Sequence, residues 1–162
     1  QTSVFDKGKI KLKTGEVNMH ELISGVVDNF SLQIKSRNGR LSVGLNAENF
    51  MVKADHVHIT NVMSNLLDNA IKYCDKNPDI GIYTQNKLKY VVITVKDNGI
   101  GISRNDQKKI FEKFYRVPTG LSYVKMVVEE HNGFVEVESE LHQGSAFKIY
   151  LPLIENNSHA KD

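Results

Sequence analysis

The segment from Asp55 to Tyr73 carries two stripes that cannot face the same environment. Val62, Met63, Leu66, Leu67, Ala70 and Ile71 recur at the three- and four-residue spacing of one helical face. Asn61, Asn65 and Asn69 recur every fourth residue on another face, with Asp68 and Lys72 close to the same side. Asparagine is only a moderate helix former, because its side chain competes for backbone hydrogen bonds. Three along one helix therefore need a reason. One reading is a solvated face. The other is a row of amides turned toward a ligand or a hard cation, which accepts amide oxygen and keeps water and phosphate as its other ligands.

The rest of the chain supplies elements that can cover the apolar stripe. Asn18 before Met19-His20-Glu21 has the form of a capping box. Leu22, Val26, Phe30 and Ile34 then predict a helix ending near Arg37-Asn38-Gly39. Strands are expected at 9–13, 40–46, 50–53, 79–85 and 88–95, the last with Val91, Ile93 and Val95 on one face. Lys7, Lys9, Lys11 and Lys13 alternate along the first of these as its solvated side. Ser103 is a helix cap with Asp106 in the first turn. Leu121 to His131 predicts a helix through Val124, Val127 and Val128. Strands follow at Val135 and Val137 and at Phe147, Ile149 and Leu151. Helices covering one face of a mixed sheet make a two-layer α/β sandwich, with no internal repeat and no domain boundary.

Composition excludes several classes. The 162 residues, 40% hydrophobic and 25% charged, suit one globular domain rather than a disordered chain. A net charge of +2 does not call for a nucleic-acid partner. No apolar run approaches the roughly 18 residues of a membrane span, and no signal peptide is visible. Position 1 is Gln, so a fragment of a longer protein is expected, with any membrane anchor outside it. Cys74 is alone, which rules out an internal disulfide and fits a buried helix cysteine better than a catalytic thiol. His56 and His58 diverge on a helix, and the other histidines lack the spacing of a metal or triad set.

Three further motifs carry chemistry. Asp97-Asn98-Gly99-Ile100-Gly101 follows a strand but leads into a helical segment instead of a second strand, so it is not a simple hairpin. An aspartate at a strand end is costly to bury unless paired, and a ring amine is a suitable partner. Gly99 and Gly101 would let a flat ligand approach the backbone. In Phe111-Glu112-Lys113-Phe114-Tyr115-Arg116 the aromatics read as core, while Arg116 could clamp phosphate. Gly144-Ser145-Ala146-Phe147 opens the last strand.

Together and in this order, these segments resemble the catalytic, ATP-binding domain of sensor histidine kinases. Asn65-Leu66-Leu67-Asp68-Asn69-Ala70-Ile71-Lys72-Tyr73 is similar to their N box, and Asp97 to Gly101 to their first glycine box. Phe111 to Arg116 resembles their phenylalanine box, Leu121 to Glu129 the helix after the second glycine box, and Gly144 to Phe147 the last glycine box. The resemblance implies the Bergerat-type fold shared with gyrase, Hsp90 and MutL: a mixed, mainly antiparallel sheet of five strands backed by three main helices. It implies ATP and magnesium as cofactors. Asn69 would coordinate the metal and Asn65 would assist. Lys72 would meet the phosphates, and Arg116 would lie near the terminal one. Tyr73 would line the nucleotide site, Asp97 would accept from the adenine amine, and Gly99, Gly101, Gly120, Leu121 and Ser145 would complete the pocket.

The resemblance further implies transfer of the γ-phosphate to a histidine on a separate dimerisation and phosphotransfer domain, with a response regulator downstream. Residues 1–8 would then end a linker from that domain, 9–153 would form the catalytic domain and 154–162 a flexible tail. The location would be cytoplasmic, in a membrane-anchored bacterial receptor, with no nucleic acid bound and no direct membrane contact by this part. In hydrolysing relatives a glutamate stands four positions before the metal asparagine. Asn65 occupies that position here and cannot accept a proton as a carboxylate does, so slow self-hydrolysis is expected rather than a chaperone- or topoisomerase-type ATPase. One departure bears on function. Only Val117-Pro118-Thr119-Gly120 separate Arg116 from Leu121, where the family has a longer lid containing its second glycine box. A nucleotide-dependent sensor or docking module without transferase activity is the alternative that this short segment leaves open.

Overall fold

The computed structural model describes residues 10–112 and 120–155. The expected linker end at 1–8 lies outside the described residues, as do Lys7, Lys9, Lys113, Phe114, Tyr115, Arg116 and the tail beyond Glu155. In chain order the elements are β1 (Gly15–Asn18), α1 (Met19–Ser36), β2 (Arg40–Leu45), β3 (Met51–Ala54) and α2 (His56–Lys72). Then come β4 (Asp79–Lys87), β5 (Tyr90–Asp97), α3 (Arg104–Gln107), α4 (Leu121–Glu130), β6 (Phe134–Glu140) and β7 (Gly144–Pro152).

Five strands form one sheet in the order β2-β4-β5-β7-β6. The β2–β4 pair is parallel and the other three pairs are antiparallel. The expected mixed, mainly antiparallel sheet with helices on one face is what the chain forms. Val91, Ile93 and Val95 of β5 pair with Leu151, Ile149 and Phe147 of β7, and all six are buried in the core. Helix α2 packs against both α1 and α4, and Met63, Leu66 and Leu67 are almost wholly excluded from solvent. Burying one such side chain contributes about 1.5–3 kcal/mol.

The helix boundaries follow local chemistry. Asn18, Asp55 and Ser103 cap α1, α2 and α3, accepting from the backbone N–H groups of Glu21, His58 and Asp106. Helices α1 and α4 end alike. Asn38 and Asn132 adopt left-handed backbones, and the following glycine N–H groups reach back to Ile34 and Val128 carbonyls at 2.9 and 3.0 Å.

Two expectations need correction. No strand forms over residues 10–13; the strand is at 15–18, where it pairs with β3 in a separate two-stranded sheet. The Lys13 N–H instead donates to Asp55 Oδ2 at 2.8 Å, so the chain is diverted to a helix cap before it meets a strand partner. Leu88, read as the start of a strand, sits with φ of 53° in the turn between β4 and β5. The Ile154 N–H donates to Met51 O at 3.0 Å.

Arg37, at the end of α1, ties down the end of α2. Its guanidinium donates to the carbonyls of Ile71 at 2.7 Å, Cys74 at 2.9 Å and Lys76 at 3.3 Å. A cation at a helix C-terminus also opposes the helix dipole. Arg37→Met keeps most of the apolar stem and removes all three donors. It should lower the unfolding free energy by about 1–3 kcal/mol in urea denaturation, and an unchanged midpoint would refute this anchoring.

Candidate functional site

A cleft of about 170 Å³ opens between α2, the loop after β5, the start of α4 and the start of β7. Leu66, Ala70, Ile100, Ile102, Ile110, Leu121 and Phe147 give it apolar walls. Asn69, Tyr73, Asp97, Asp106 and Ser145 supply its polar groups. Apolar walls with few convergent polar groups are the usual form of a site for a flat organic ligand.

Asp97 ends β5 at one side of this cleft. Its Oδ1 accepts from Gly99 N–H at 2.8 Å and Ser145 N–H at 3.2 Å. No hydrogen bond to Oδ2 occurs among the described residues. Burial pushes the Asp97 carboxyl above the usual carboxylate range, outweighing the two backbone N–H groups that favour its charged form. No lysine or arginine among the described residues pairs with it. The geometry therefore holds an acceptor against an apolar slot, without a fixed cation to satisfy it.

The three asparagines diverge in environment. Asn61 is exposed and lies near the Tyr123 hydroxyl, which is 2.6 Å from His58 Nδ1. Asn65 is half-buried, with Nδ2 at 3.5 Å from Gly120 O. Asn69 is buried and lines the cleft. Its Nδ2 is the one buried side-chain nitrogen or oxygen without a partner among the described residues. A half-turn of the amide exchanges Oδ1 with Nδ2, so this position could present an oxygen acceptor to a cation. No cluster of three or more His, Cys, Asp or Glu suited to a metal occurs among the described residues. An ion held at Asn69 would thus take most of its ligands from phosphate and water, which suits magnesium.

Of the residues singled out from sequence, Asn69, Tyr73, Asp97, Gly101, Leu121 and Ser145 converge on the cleft. Gly99 does not line it. It is buried behind Asp97 and donates to it. Gly101 has φ of +76°, and a Cβ there would collide with the Glu140 carbonyl. Gly120, at φ of +79°, precedes α4 against the Asn65 amide rather than in the cleft wall. Lys72 is exposed and lies 3.8 Å from Asp68, away from the lining. Arg116 lies outside the described residues. Sequence reasoning missed Ile100, Ile102 and Ile110 as lining groups. The isoleucines flanking Gly101 were the available signal.

The sequence profile of the histidine kinase-, DNA gyrase B- and HSP90-like ATPases matches residues 54–155. The chain belongs to this ATPase family. Among its curated relatives, the Sensor protein RprX of Bacteroides fragilis (strain YCH46) is 42% identical over 170 residues, a match covering 97% of this chain and 33% of RprX. The chain thus spans about a third of that relative's length. The nucleotide-free catalytic domain of histidine kinase ThkA superposes with a TM-score of 0.80 at 29% identity, covering 87% of this chain and 96% of that one. ThkA in complex with the response regulator protein TrrA gives a TM-score of 0.78 at 28% identity, over 88% of this chain and 42% of that one. Within the ATPase family, the fold is that of the histidine kinase catalytic domains.

Asp97 has a testable signature in pH. A carboxyl with a raised folded pKa favours the folded state most below its unfolded value near 3.8, and that contribution declines as pH rises through the folded value. Asp97→Asn removes the half-buried charge. Urea denaturation across pH 4 to 7 should show the variant gaining on the parent as pH rises, while ATP affinity at pH 7 falls roughly 10–100-fold because a donor replaces an acceptor. A stability difference independent of pH, with ATP affinity unchanged, would refute the role.

Proposed function

We propose that this chain binds magnesium-ATP and donates the γ-phosphate to a histidine on a separate dimerisation domain, as part of a sensor histidine kinase. The observation that carries the reading is the cleft itself. A half-buried carboxylate, Asp97, faces an apolar slot at one side, and a partnerless buried amide, Asn69, lies on the same wall as Tyr73.

In this reading Asp97 accepts from the exocyclic amine of adenine. The apolar walls take the ring faces, and Tyr73 borders the nucleotide. Asn69 turns its amide oxygen toward the cation. When bound, magnesium neutralises phosphate charge. Asn65, beside the start of α4, orients phosphate or its water through an amide. Lys72 is exposed and can swing from Asp68, an ion pair that costs little to break. Arg116 is assigned to the terminal phosphate by its motif alone. Catalysis of this kind rests on positioning and charge neutralisation. No described side chain offers a carboxylate at position 65 to activate water, which supports transfer over hydrolysis.

The partners follow the same reading: an acceptor histidine domain of the full-length protein, and a response regulator such as the one bound to ThkA. The setting would be the cytoplasmic part of a receptor, with residues 9–153 as the catalytic domain. Among the described residues no helix is long and apolar enough to cross a membrane. A second reading has its own support. Only Val117-Pro118-Thr119-Gly120 separate Arg116 from Leu121, where the histidine kinase resemblance implies a longer lid. With so short a segment the triphosphate has less cover, and the domain could sense nucleotide without transferring phosphate.

γ-Labelled ATP separates these outcomes. With magnesium alone the chain should remain unlabelled and release phosphate far more slowly than about once per second, as expected without a general base. With a histidine phosphotransfer domain supplied in trans, label should appear on that domain in acid-labile form. Nucleotide binding without any transfer would favour the sensing module, and rapid phosphate release would overturn the kinase reading.

A further inference from the structure

Ser139 of β6 does not line the cleft, yet its hydroxyl joins three elements that build it. It accepts from the Ile102 N–H at 2.8 Å, in the loop after Gly101. It lies 3.0 Å from the Gly144 carbonyl, which it can only donate to. It lies 2.7 Å from Ser145 Oγ, where either hydroxyl could donate. A serine hydroxyl has one hydrogen. If Ser139 gave it to Ser145, the Ser145 hydrogen would have no acceptor among the described residues, and the Gly144 contact would be lost. The arrangement that uses both hydrogens runs from Ser145 to Ser139 and from Ser139 to Gly144 O.

The direction of this chain has a consequence in the cleft. Ser145, 8% exposed and part of the lining, spends its only hydrogen on Ser139 and keeps only lone pairs for a ligand. Its backbone N–H is committed to Asp97 Oδ1 at 3.2 Å. Asp97, when ionised, is also an acceptor alone. The Asp97 and Ser145 side chains in this corner of the cleft therefore accept hydrogen bonds and offer none, so they favour a base edge bearing an amine and oppose one bearing a carbonyl.

We propose that Ser139 is a specificity-determining positioning residue, which holds the Ser145 hydroxyl as an acceptor and so makes the cleft discriminate a 6-amino from a 6-oxo purine. The inference rests on the nucleotide reading above and adds the device that enforces base choice. Without the Ser139 oxygen, the Ser145 hydroxyl is free to rotate and donate toward the ligand. A carbonyl edge would then be tolerated.

Calorimetric titration of the chain with ATP and with GTP, each with magnesium, tests this on the parent, Ser139→Ala, Ser145→Ala and the double variant. The parent should prefer ATP. Ser139→Ala should shrink the ATP-to-GTP affinity ratio roughly 3–10-fold, the factor that one hydrogen bond of ordinary net strength supplies. Adding Ser139→Ala to Ser145→Ala should leave the ratio nearly where Ser145→Ala put it, because the two act through one hydroxyl. Ser139→Thr, which keeps the hydroxyl, should restore the parent ratio. Should Ser139→Ala unfold in a thermal scan, Ser139→Cys, whose thiol is a weak donor and acceptor, must show the same fall. A ratio unchanged in the folded variants, or effects that simply add in the double variant, would overturn the inference alone. Failure of the parent to bind ATP would overturn the nucleotide reading and this inference with it.

Discussion

Helix α2 is at once the centre of the core and the wall of the cleft, and the rest of the structure depends on that double duty. Its apolar stripe is held between α1, α4 and the sheet, which fixes its rotation. Four residues advance about 400° around a helix, so asparagines at that spacing wind by about 80° over three. Once Met63 and Leu67 are buried, Asn61 is left at the surface beside Tyr123, Asn65 at the start of α4, and Asn69 inside the cleft. The amide stripe is a ramp from solvent to ligand site, and core packing sets its pitch.

The cleft's second wall is held by contacts that are individually modest. Ile100 donates its N–H to Tyr73 O at 3.0 Å, which joins the loop after β5 to the end of α2. Asn98 accepts from Asp79 N–H and donates to Asn77 O, and Cys74 Sγ lies 3.4 Å from its Oδ1. Arg37 clasps the same stretch from α1. Cys74, read from sequence as a buried helix cysteine, is buried but lies just beyond α2, in the stretch that carries these bonds. Gly99 and Ser145 then anchor Asp97, so a charge disfavoured by burial stays aimed at the slot. Stability given up at such a carboxylate is what a binding site commonly costs.

How much of this could be read from sequence depended on range. The caps at Asn18 and Ser103 and the helix end at Asn38-Gly39 involve neighbours a few residues apart, and each was legible; Asp55 and Asn132-Gly133 use the same local chemistry without having been singled out. The strand at 15–18 was not legible, because its partner β3 and the Lys13–Asp55 contact lie about forty residues away. Likewise, a motif names Asn65, Lys72 and Gly99 alongside Asn69 and Asp97. Only the packing shows that the first three stand behind or beside the cleft rather than in its lining. Ser139 carried no local signal, since its importance lies in joining β6, β7 and the loop after Gly101 through one oxygen.

The central claim is that Asn69 meets a cation-bound phosphate while Asp97 reads the base. Amide-detected magnetic resonance of the whole chain tests it at both ends of one ligand. Saturating ATP with magnesium should shift the Asn69 side-chain amide together with the Gly99 and Ser145 backbone N–H signals. Adenosine should move only the latter pair. Signals that stay in place at Asn69 and around Asp97 under saturating ATP and magnesium would contradict the account.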